Sequence, residues 1–126
     1  MPKVSKESAA HQDDHGPVFD RWEDHDGYRI QFVTFKQAMD GTELVKGCVD
    51  DKCQCPHWGY VLKGGITFRF ADRDETYEPG DAFYVGPGHI PINEADTEYL
   101  QFSPQEELQV TSDQIMKNFQ AMQAAS

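Results

Sequence analysis

Residues 55–70, CPHWGYVLKGGITFRF, and residues 78–91, EPGDAFYVGPGHIP, carry the pattern that decides the fold. In the first, Trp58 to Leu62 is a β-rich run closed by the turn signal Lys63-Gly64-Gly65. Beyond it Ile66, Phe68 and Phe70 share one face while Thr67 and Arg69 share the other, the alternation of a half-buried strand. In the second, Pro79-Gly80-Asp81 makes a tight turn into Ala82 to Val85, and Gly86-Pro87-Gly88 breaks that strand.

Outward from these stretches the same punctuation repeats. Tyr28, Ile30 and Phe32 alternate with Arg29 and Gln31, and Trp22 to Gly27 reads as a turn entering that strand. Asp40-Gly41 separates it from a β-rich run at Leu44 to Val49, and Glu98 to Phe102 makes a last strand before Ser103-Pro104. Six or more short strands within about 85 residues favour an all-β antiparallel barrel or sandwich. At the C-terminal end the period changes: Thr111 and Gln114 fit a capping box, and Ile115, Phe119 and Met122 recur at helical spacing. The expectation is a helix from about 112 to 124 that covers an edge or face of the β domain. Residues 1–17 hold too few apolar side chains to offset the entropy of ordering, so they read as a mobile tail ahead of a β domain at 18–104 and a helical segment at 105–126.

The 126 residues, 38% of them hydrophobic, suit one domain with one core. Eleven Lys and Arg against 22 Asp and Glu give a formal charge of −11, which disfavours nucleic acid and anionic membranes as partners. The longest apolar runs fall well short of the roughly 20 residues that span a bilayer. The N-terminal residues lack the apolar core of a secretory signal, so a cytoplasmic protein is expected. His11, His15 and His25 lie among aspartates and read as part of a solvated tail; Glu94, Asp96 and Glu98 alternate as a charged outer face. No GxSxG, GxxxxGK[ST] or GxGxxG pattern is present to support a nucleophile elbow, a P-loop or a dinucleotide site.

The chemistry concentrates in Cys53-Gln54-Cys55-Pro56-His57. Three cysteines, two of them one residue apart, suit thiols or metal ligands better than bridges. On an extended strand Cys53, Cys55 and His57 would present two sulfurs and an imidazole to one side, a set suited to zinc or another borderline-soft divalent ion. The competing reading makes both cysteines small buried residues and His57 a hydrogen-bonded core histidine. His89, in a Gly-Pro-Gly-His turn, is a further candidate ligand. Trp58, Tyr60 and Tyr84 alternate in strands and read as core, with a pocket lining as the other reading.

Both quoted stretches resemble the two signature motifs of the cupin superfamily, whose members are small β-barrels. The YVLKG hinge at 60–64 and the PGD turn at 79–81 are the most specific matches, and with the flanking strands the resemblance covers roughly residues 28–104. It implies a cupin-type antiparallel β-barrel, jelly-roll-like, with a short C-terminal α-helix. At the family's metal positions this chain differs: His57 stands at the motif glutamate, Cys53 and Asp51 at its two histidines, and Pro91 at the second-motif histidine, two residues after His89. The resemblance therefore implies a divalent metal pocket rebuilt from His57, His89 and one or both of Cys53 and Cys55, with Asp51 as a fourth candidate. Zinc is the expected ion, with iron, manganese or nickel as alternatives. Cys48 lies outside the matched register and reads as a packed residue. A small-molecule ligand beside the metal and a homodimer paired through barrel edges are also implied. Three functions follow: a metal and small-molecule binding protein, a metal-dependent dioxygenase or isomerase, or a metal-free ligand-binding cupin.

Overall fold

The computed structural model describes residues 3–125. Ten strands run in the order β1 (His11–Asp14), β2 (Val18–His25), β3 (Tyr28–Phe35), β4 (Met39–Asp40), β5 (His57–Lys63), β6 (Ile66–Arg69), β7 (Asp74–Tyr77), β8 (Ala82–Val85), β9 (Ile90–Asn93) and β10 (Thr97–Pro104), followed by α1 (Gln105–Ala125). They form a six-stranded sheet ordered β1-β2-β3-β10-β5-β8 and a four-stranded sheet ordered β4-β9-β6-β7, with antiparallel pairing throughout. The two sheets are not closed into one barrel; they pack face to face as a jelly-roll-like sandwich. Val33, Phe35, Val61, Phe83, Val85 and Tyr99 from the larger sheet meet Ile66 and Phe68 from the smaller one in the main core. Among the described residues no helix is long and apolar enough to cross a membrane.

Turn chemistry sets the register. Asp26 and Gly27 join β2 to β3 with φ of 51° and 82°, the positive pair that a two-residue hairpin loop matching strand twist requires. Gly64, at φ 77°, turns β5 into β6 so close to β10 that an added Cβ would lie 2.4 Å from Thr97 Oγ1. Thr97 Oγ1 also accepts the Gly65 N–H and donates to its carbonyl, both at 3.0 Å, which locks the turn to the larger sheet.

Several expectations need correction. The segment read as part of a mobile tail carries β1, because Trp22 gives it something to pack on: the His11 ring stacks at 3.8 Å, and the indole N–H donates to Asp13 at 2.8 Å. Trp22 to His25 belongs to β2 rather than to a turn. Leu44 to Val49 is not a strand. Leu44 and Val45 both hydrogen-bond back to the Gly41 carbonyl, and Gly47 takes φ 91°, so local turns override the β-branched bias; Val49–Asp51 follows as a 3-10 turn. The helix begins directly after Pro104, with Glu106 and Glu107 in its first turn where the helix dipole favours acid, and Thr111 lies buried inside it instead of capping it. Leu108 and Ile115 pack α1 on Val45, Cys53 and Cys55 in a second apolar cluster.

β3 also reverses its expected face. Arg29, Gln31, Val33 and Phe35 are the buried residues of β3, while Ile30 and Phe32 look outward; Tyr99, Gln101 and Ser103 are buried on β10. The outer face of the larger sheet consequently carries Trp58, 43% exposed, and Tyr84, 54% exposed, packed ring to ring at 5.1 Å, with Tyr60 beside them; all three had been expected in the core.

Candidate metal centre and its cavity

β5 starts at His57 because Pro56, before it, has no N–H for the ladder. Upstream of the proline the chain leaves the sheet and touches it again at one isolated bridge, Cys53 to His89. The Cys53 N–H donates to the His89 carbonyl at 2.8 Å, and the Gly88 N–H donates to the Cys53 carbonyl at 2.8 Å. That bridge sets the thiol beside the imidazole of the Gly-Pro-Gly-His turn.

One ligand atom from each of Cys53, His57 and His89 lies within 4.8 Å of the others, and all three side chains are buried. Cys53 Sγ is 3.6 Å from His57 Nε2, against about 3.5 Å between a sulfur and a nitrogen on one tetrahedral zinc. The His89 Nδ1–H donates to the Gly86 carbonyl at 2.7 Å, which leaves the Nε2 lone pair for a ligand. His57 Nδ1 and Ser103 Oγ are hydrogen-bonded at 2.7 Å, which fixes the orientation of that ring. The two rings meet edge to face at 5.1 Å.

Burial, and then the neighbouring His89, drive the His57 pKa well below its ordinary value; burial lowers that of His89 against its Gly86 bond. Both rings are thus neutral, the form that binds metal. The Cys53 thiol is pushed up to about 11, chiefly by burial, so it carries its proton until a cation displaces it. Two imidazoles, each held by a second group, and one thiol fit a borderline-soft divalent ion.

The remaining candidates stand apart. Cys55, 1% exposed, is not one of the three groups whose ligand atoms converge; its Sγ donates to the Pro56 carbonyl at 3.4 Å, and it packs with Cys53 and Leu108 in the second apolar cluster. Asp51 lies in the exposed 3-10 turn, where its carboxylate accepts the Gly47 N–H at 3.0 Å. Cys48 packs against the second apolar cluster.

The three candidate ligands open on a cavity of about 530 Å³ between the sheets and under α1. Val33, Phe35 and Phe68 give it apolar walls, while Asp20, Gln31 and Gln101 add a polar stretch. The sequence reading missed that stretch, and it missed Ser103. The signal was available: polar residues at alternate positions of strands whose other odd members, Val33, Phe35 and Tyr99, are apolar.

No protein-family model matches the chain, and no curated protein matches it. Solved structures do. An RmlC-like cupin from Shewanella frigidimarina is 14% identical, with 80% of this chain and 88% of that one covered at a TM-score of 0.56. A cupin superfamily protein from Desulfitobacterium hafniense is 14% identical over 75% of this chain and 83% of its own, at 0.54. The polyketide cyclase RemF from Streptomyces resistomycificus is 15% identical over 83% and 80%, at 0.58. With its paired antiparallel sheets and its glycine-turn hairpins, this chain has the cupin fold.

Proposed function

We propose that this protein holds one divalent metal ion, zinc by preference, on Cys53, His57 and His89 and presents it to a small molecule in the adjoining cavity. The observation that carries the reading is the convergence of a thiol and two neutral imidazoles within 4.8 Å on the wall of that cavity. Three protein donors are the number used by zinc sites that keep a position for water or substrate. An ion held there would act as a Lewis acid toward a ligand oxygen. Ser103 and the Gly86 carbonyl orient the imidazoles.

A metal-dependent enzyme is the second reading, favoured by Asp20, a half-buried carboxyl in the same cavity, and by the likeness to RemF, a polyketide cyclase. An oxidisable thiolate ligand makes isomerase chemistry a better fit than dioxygenase chemistry. The three free cysteines suit a reducing, cytoplasmic compartment. The aromatic outer face of the larger sheet supports a homodimer, replacing the barrel-edge pairing as the surface proposed.

Cobalt substitution tests the ligand set. Wild type and Cys55→Ser should show thiolate-to-cobalt charge-transfer absorption, and Cys53→Ser should lose it. Absence of the band in wild type, or its persistence in Cys53→Ser, would overturn the assignment.

A further inference from the structure

The polar stretch of the cavity has a structure of its own. The Gln101 side-chain amide donates to Gln31 Oε1 at 2.9 Å, and the Gln31 amide donates to both Asp20 oxygens at 3.0 and 3.2 Å. Because the Gln31 nitrogen must face a carboxylate, the direction of the whole relay is fixed. Gln31 and Gln101 are buried, directly opposed residues of β3 and β10, and Asp20 is on β2.

Asp20 is poorly provided for. A carboxylate offers about four acceptor positions, and the one amide of Gln31 serves it here. Arg29, the cation that influences it, commits Nε and Nη2 to Asp24 and Nη2 also to Gln109. Asp13, on β1, adds like charge, and Tyr99, on β10, presents a buried phenol toward the same region. Desolvation accordingly raises the Asp20 pKa to about 6, so near neutral pH it is largely an ionised acceptor.

In the larger sheet β2 lies three strand spacings from β5, about 14 Å. Asp20 opposes Val33 while His57 lies four residues further along, in the row of Ser103 and Arg29, so the two occupy separate parts of one cavity, with Gln31 and Gln101 on the sheet between them and Phe68, Leu108 and Ile115 lining it from the smaller sheet and α1. Its volume of about 530 Å³ is that of a small-molecule site.

We infer that Asp20, aligned by Gln31 and Gln101, forms a second recognition pole, and that the ligand is an elongated, largely apolar molecule with an oxygen donor at one end and a hydroxyl or ammonium group at the other. This rests on reading the cavity as the ligand site and the His57 end as the metal pole.

The test uses the zinc-loaded full chain and three rigid probes, para-aminomethylbenzoate, para-hydroxymethylbenzoate and para-methylbenzoate, titrated by amide NMR shifts. The first two should bind wild type about tenfold tighter than the methyl probe, the effect of one hydrogen bond to a charged group. In Asp20→Asn the ammonium advantage should vanish, and in Asp20→Ala both advantages should vanish with methyl-probe affinity unchanged. Equal affinities for the three probes, or no binding of any at millimolar concentration, overturns the inference. Repeating the series without zinc separates the two poles. If only the metal reading fails, the donor preference persists with no dependence on zinc; if only the Asp20 inference fails, zinc dependence persists with no preference.

Discussion

Asp20 is ionised at neutral pH at a cost to the fold. Its pKa rises from 3.8 to about 6 on folding, mainly through desolvation. With both states protonated the group costs nothing; stability falls as pH climbs from the unfolded value through about 6, and above that the full penalty of ionising Asp20 in the folded protein remains. Asp20→Asn keeps the acceptor for Gln31 without the charge, and it should stabilise the protein by about 1–2 kcal/mol near pH 7.5, less than the full value of a two-unit shift because the cavity admits some solvent. Urea unfolding should show that gain shrinking as pH falls toward 4; no gain, or one that grows with acid, would count against a desolvated, ionised Asp20. The metal candidates were legible at this scale as residue types: Cys53, His57 and His89 all stood out. Their grouping was less so, because whether Cys55 shares a side with Cys53 depends on the backbone at Pro56, and the partner that orients His57, Ser103, lies 46 positions away.

Among the elements, α1 bears most directly on the site, since Leu108 and Ile115 press on the cluster that contains Cys53. Further along, the Asn118 side-chain amide donates to the carbonyls of Leu44 and Lys46, each at 2.7 Å, clasping the helix to the turns that lead into the ligand segment. Asn118→Ala should cost about 1–2 kcal/mol. Amide exchange should accelerate in the distal half of α1 and in residues 41–48 while β3, β5 and β10 keep their protection; unchanged exchange, or uniform acceleration, would deny the clasp its local role. Strands announced by glycine turns were readable, as β5, β6 and β8 demonstrate, because a tight turn is written in neighbouring residues. β1 was not, since its stability comes from Trp22 and not from its own composition. The true face of β3 was obscured because its inner row mixes Arg29 and Gln31 with Val33 and Phe35, a mixture that only a polar cavity inside an apolar core explains.

At the scale of the molecule, a chain of formal charge −11 displays an aromatic band on one sheet face. Tyr28, Trp58, Tyr60, Tyr84 and Phe102 are each partly exposed there, which at 150–250 Å² per aromatic side chain leaves about 500 Å² of apolar surface. That is at the upper end for a monomer, and most of the roughly 800 Å² each partner gives to a standard interface. Two acidic copies meet with least repulsion where charge is sparse, so the band is the surface we assign to self-association. Light scattering should give about 29 kDa, twice the 14.3 kDa chain, and Trp58→Glu combined with Tyr84→Glu should give a folded monomer. A monomeric wild type, or a dimer that survives both substitutions, would contradict it.

If Cys53, His57 and His89 hold a divalent metal, elemental analysis of untagged protein purified without chelator will find it. About one zinc per chain is expected in wild type, and none in the His57→Ala, His89→Ala double variant with its β-sheet circular dichroism intact. Wild type that takes up no divalent ion even after refilling, or a double variant that holds as much metal as wild type, would rule out a metal on these residues.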